Sequence, residues 1–69
     1  MNRLWRLNER ELAAYTEDFD IIRKIRRSYP DFAVMAEYSK AGEVFALQYR
    51  VPATRKRSAR HLLGVDVDR

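Results

Sequence analysis

Five cations lie between positions 50 and 60 with no acid among them: Arg50, Arg55, Lys56, Arg57 and Arg60. Residues three and four apart on a helix share a side, so a helical segment here brings Lys56, Arg57 and Arg60 together. Like charges held that closely repel until an anion meets them, and a phosphate backbone is such an anion. Eleven of the fourteen cationic residues are arginine, whose planar fork binds phosphate and carboxylate bidentately. DNA or RNA is the expected partner, held through its phosphates with weak sequence preference. Arg50 and either Arg23 or Arg27 are expected to assist. An acidic protein is the alternative anionic partner. The bland alternative is a solvated face whose stems cover a thin core. If the chain's own carboxylates already engage these arginines, a docking role becomes the better account.

Other chemistry is poorly provided for. The chain has no cysteine and one histidine, His61, set in its most cationic segment. Cys/His metal sites and nucleophilic dyads therefore lack their parts. Gly42 and Gly64 stand apart, so no glycine-rich phosphate loop exists. Asp66 and Asp68 are too few for a calcium or magnesium cage. A non-enzymatic protein without metal or cofactor is expected. Trp5, between Arg3 and Arg6, is a candidate for stacking on a base or a protein surface, because tryptophan and arginine are enriched in binding hot spots. Tyr38 is a further interaction candidate near a turn.

The elements that position these residues follow from periodicity. Phe32, Val34, Ala36 and Tyr38 alternate with Ala33, Met35, Glu37 and Ser39, and Phe45, Leu47, Tyr49 and Val51 with Val44, Ala46, Gln48 and Arg50. With a two-residue Ala41–Gly42 turn, a hairpin over 32–51 pairs Tyr38 with Phe45, Ala36 with Leu47, Val34 with Tyr49 and Phe32 with Val51. The core face is then apolar, and Met35, Glu37 and Gln48 lie on the open face. That open face argues against base stacking on the sheet. Phe19, Ile22, Ile25 and Tyr29 predict a helix over 18–29, acidic at its start and stopped by Pro30. Phe19, Phe32, Phe45 and Tyr49 are expected in the core. Thr54 and Gly64 are the expected caps of a basic helix over 55–63. Asn8 and Glu11 have capping-box spacing, but Glu11–Thr16 is read as a strand because a lone hairpin needs a third. Residues 3–7 are either a leading strand or an adhering arm.

These elements predict an α+β domain of order β-α-β-β-α, an antiparallel sheet with two helices on one face. With a strand stub at 65–67 it approaches a truncated ferredoxin-like layout. One domain over 1–69 is expected: an N-terminal arm (1–10), a folded core (11–64) and a C-terminal tail (65–69). Sixty-nine residues form a thin core without disulfides, so homodimerisation is a plausible source of stability. A small regulator or inhibitor docking through an edge strand or the Trp5 arm is the alternative function. The net charge of +4 suits a polyanion partner, and no apolar run is long enough to span a membrane. A cytoplasmic location is expected.

Overall fold

Two hairpins, each followed by a helix, make up the computed structural model, which describes residues 1–68. Arg69, the last residue of the expected tail, lies outside the described residues. The elements are β1 (Asn2–Arg6), β2 (Glu11–Thr16), α1 (Phe19–Ser28), β3 (Ala33–Lys40), β4 (Glu43–Pro52), a 3₁₀ turn (Ala53–Arg55) and α2 (Lys56–Leu63). The strands form one antiparallel sheet in the order β1-β2-β4-β3. Ile22 and Ile25 of α1 and Ala59 and Leu63 of α2 share one core with Leu4, Leu12, Ala14, Leu47, Tyr49 and Val51. Both helices thus cover the same face, as the α+β reading expects.

The ferredoxin-like order is not reproduced. The fourth strand comes from the N-terminus, so residues 2–6 are a strand and not a loose arm. The 65–67 stub instead lies beside β1, where the tail makes a single parallel bridge between Trp5 and Asp68. Leu4 anchors β1 by complete burial. Thr16, also fully buried, donates to Asn2 Oδ1 (2.7 Å) and accepts from the Asp18 amide (3.0 Å). The Asn2 amide in turn donates to the Leu63 carbonyl (3.0 Å), tying β1 to the end of α2. A buried hydroxyl is tolerated here because both of its bonding capacities are used.

Asn8 and Glu11 do interact (3.1 Å), but in the β1–β2 turn, where Asn8 Oδ1 also accepts the Arg10 amide. Asp18 caps α1 by accepting from the Asp20 and Ile21 amides. Phe19, at the first position of α1, is about half exposed, against expectation.

The β3–β4 register departs from simple alternation in its middle. Val34 pairs with Tyr49 as expected, but Ala36 pairs with Gln48, Glu37 with Leu47 and Tyr38 with Ala46. Met35 is an extra residue on β3 and Phe45 an extra residue on β4, so two bulges cancel. Between them every side chain of β3 changes face. The expected pairs Tyr38–Phe45 and Ala36–Leu47 are therefore absent, and Phe32 lies outside β3, so its pairing with Val51 is absent too. Phe45 is about two-fifths exposed instead of core. Phe32 and Tyr49 are core as expected.

Ala41 and Gly42 form the two-residue turn, both with positive φ (53° and 81°). That conformation suits an I′ hairpin turn but places a Cβ where L residues pay about 1 kcal/mol. Ala41→Asn, the preferred residue there, is expected to raise the thermal midpoint by about 4–8 °C per kcal/mol recovered. An unchanged midpoint in a calorimetric scan would show that Ala41 carries no strain.

Candidate nucleic-acid interface

The basic helix begins differently from expectation. Pro52 leads into the 3₁₀ turn, which places Thr54 inside the turn, and no side chain caps either the turn or α2. Gly64 closes α2 as expected, at φ 67°, with its amide bonded to the Arg60 carbonyl (2.9 Å). Ala59 and Leu63 face the core, which turns Lys56, Arg57, Arg60 and His61 outward.

A hollow of about 630 Å³ borders the start of α2, lined by Thr54, Arg55, Lys56, Arg57, Ser58 and Arg60. All four predicted cations of this segment therefore meet around one concavity, but they are not equally free. Arg55 stacks over Tyr29 (5.3 Å) and Phe32 (5.8 Å), with Nε 3.2 Å from Asp31 Oδ2. This Nε is shut off from solvent and is not aligned for a hydrogen bond. Arg55 thus ties the end of α1 to the start of α2. Arg55→Ala is expected to cost about 1–2 kcal/mol, the sum of an ion pair and cation–π contacts, in a urea melt. Its oligonucleotide affinity should fall less than that of Arg57→Ala; an equal fall would return Arg55 to the phosphate contacts.

Arg60 pairs with Asp66 (2.9 Å), whereas Lys56 and Arg57 are exposed and have no carboxylate partner among the described residues. Arg50 lies on the opposite face of the sheet, 3.5 Å from Glu11. Arg23 pairs with Asp20 on α1. Arg27 is exposed on α1, but no α1 residue lines the hollows bordering α2. Of the seven predicted cations, Lys56, Arg57 and Arg60 form the outward-facing group, and Arg50, Arg23 and Arg27 stand apart from it.

A second hollow, of about 690 Å³, shares Lys56 with the first as a lining residue. Arg3, Trp5 and Arg6 of β1 line it with Lys56 and the tail residues Asp66, Val67 and Asp68. The Arg3 guanidinium lies 5.7 Å from the Trp5 ring centre and donates to Asp68 Oδ2 from both Nε (3.3 Å) and Nη2 (3.0 Å). The tail is held there by the Asp68 amide, which donates to the Leu4 carbonyl (2.6 Å). Arg6 donates to the Asn8 and Glu9 carbonyls, and its charge meets no carboxylate among the described residues. Around the two hollows, Arg3, Arg6, Lys56, Arg57 and Arg60 face Asp66 and Asp68, a cationic excess beside one indole. Sequence reasoning singled out Trp5 and the basic helix separately; the β1–α2 contact that joins them is long-range and leaves no local signal.

The open face of the sheet also differs from expectation. Glu37 pairs with Leu47 on the helix-covered side, and Met35 occupies a bulge. Trp5, Tyr15, Tyr38, Gln48, Arg3 and Arg50 lie on the open face. Tyr15 and Tyr38 meet edge-on at 5.5 Å, and their hydroxyls donate to Glu17 (2.8 Å) and Gln48 (2.7 Å). The amino terminus bonded to Glu17 holds that carboxyl below its ordinary range, with the Tyr15 hydroxyl adding to the effect. The same bond to Glu17 raises Tyr15. Burial pushes the Tyr49 phenol up, opposed by the nearby Arg26 charge. The polar groups of this face are largely committed to one another, and only its β1 edge, with Arg3 and Trp5, borders a hollow beside α2. No helix among the described residues is long and apolar enough to cross a membrane.

Comparison with known protein families, with curated proteins and with solved structures finds no match to this chain.

Proposed function

We propose that the chain is a non-enzymatic, cytoplasmic nucleic-acid-binding protein that holds phosphates along α2 through Lys56, Arg57 and Arg60. The observation that carries this is the hollow at the start of α2, where these cations converge with the Thr54 and Ser58 hydroxyls. Two of the three have no carboxylate partner among the described residues, and the third is held only by an exposed pair. Such pairs are worth about 0–1 kcal/mol, so a phosphate can replace Asp66 on Arg60 at little cost. Own-chain carboxylates engage Arg50, Arg55 and Arg60, three of the four arginines in positions 50–60, which is the outcome that favours docking. The phosphate reading therefore rests on Lys56 and Arg57, with Arg60 joining only by exchanging Asp66. Nothing in the outward group reads base edges in a groove, which fits weak sequence preference.

A second function, docking to a protein, is favoured by a different observation. Val34, Met35, Val44 and Phe45 are exposed large apolar residues on one hairpin, and β3 is an edge strand. Apolar surface of this kind marks protein contacts or self-association.

Fluorescence anisotropy with a labelled generic oligonucleotide at about 50 mM and about 200 mM salt separates the two. Binding that weakens steeply with salt supports the phosphate interface. Absence of binding at the lower salt, with a thermal midpoint that rises with protein concentration, would support docking or a homodimer instead.

A further inference from the structure

We infer that the hollow at Trp5 is a stacking subsite for one unpaired nucleotide, so that the strand tracked by α2 is single-stranded. This rests on the phosphate interface proposed above and adds the class of nucleic acid. Trp5 is half-buried at the margin of β1, with its backbone fixed by pairing to Ala13 on one side and the bridge to Asp68 on the other. The Arg3 guanidinium, itself gripped by Asp68, orients against the ring. With the guanidinium over one face of the ring, a base stacks on the other face of this half-buried indole.

The chemistry beside it calls for an anion attached to that planar partner. Arg6 and Lys56 line the same hollow without a carboxylate of their own among the described residues. A volume of about 690 Å³ suits a single base with its sugar and phosphate, within the range of small-ligand sites. Lys56 lines both hollows, so a strand whose base enters at Trp5, on the open face of the sheet, reaches Arg57 and Arg60 by passing Lys56 at the β1 edge. Bases in a duplex are stacked on their neighbours and cannot present a free face to the indole. Stacking on aromatic side chains tolerates every base, which agrees with a site lacking readout groups.

Trp5 is the only tryptophan, so its emission reports the subsite directly. Single-stranded DNA, single-stranded RNA and a duplex of matched length are titrated into the native protein, Trp5→Leu and Trp5→Phe, with circular dichroism checking each fold. Single strands are expected to quench native emission. Trp5→Leu should bind them about 10- to 100-fold more weakly, the effect of losing one stacked base, with duplex affinity within about twofold of native. Trp5→Phe should keep most of the single-strand affinity. If folded Trp5→Leu binds single strands as the native protein does, or the emission ignores them while they bind, the stacking subsite is wrong and the phosphate interface stands. If neither strand form binds, the phosphate interface itself fails.

Discussion

Replacing Lys56, Arg57 and Arg60 together with alanine should weaken binding of a single-stranded oligonucleotide roughly 100-fold at about 0.1 M salt. Each phosphate contact on a single strand contributes about 0.7 to the slope of log affinity against log salt, so three contacts remove about 2 from it. Extrapolated from molar salt, that slope is the expected loss. The fold should survive, because all three side chains are exposed and Ala59 and Leu63 carry the packing of α2. Arg50→Ala is the single-charge control: it removes one cation, paired with Glu11, from the sheet face opposite α2 and outside both hollows. It should change the affinity no more than about twofold if position, and not net charge, governs binding. Titrations of both variants across a salt series decide the matter. A loss for Arg50→Ala of about a third of the triple variant's, on a logarithmic scale, would reduce the interaction to net charge.

The largest effect on stability is expected from Leu4→Ala. Leu4 is completely buried in a core shared with both helices, and β1 is otherwise an edge strand. Truncating a buried leucine costs about 2–5 kcal/mol, through lost burial and the cavity left behind. A core this small supplies only about 3–5 kcal/mol in total. The variant should therefore be substantially unfolded at 25 °C, with far-ultraviolet circular dichroism well below the native signal. A loss below about 0.5 kcal/mol would mean that residues 2–6 adhere as an arm and are not an integral strand.

Much of the fold is readable from local pattern. The stripe of Ile22 and Ile25, Asp18 at its start and Pro30 beyond its end define α1 to within a residue. The Ala41–Gly42 turn and Gly64 mark a hairpin and a helix end. The middle of the hairpin is not readable, because the bulges at Met35 and Phe45 offset each other and leave the pairing at both ends as alternation predicts. Ala13 and Ala46 are buried although neither belongs to the helix-covered core. Both lie on the open face, Ala13 between Trp5 and Arg50 and Ala46 opposite Tyr38, a consequence of register and not of hydropathy. In the candidate interface the cations are evident, but their availability is not. Asp31, Asp66 and Glu11 reach Arg55, Arg60 and Arg50 only through the tertiary fold. The neighbourhood of Trp5 and Lys56 is equally non-local.

Amide chemical-shift mapping tests the central claim most directly. Uniformly nitrogen-15-labelled protein is titrated with a generic single strand of about 8 nucleotides, within the usual site size of such binders. The amides of Thr54–Arg60 and of β1 around Trp5 should shift together and saturably, while those of β3 and the 41–42 turn stay in place. Shifts confined to the β3–β4 hairpin, or no shifts at low salt, would contradict a phosphate-binding surface on α2.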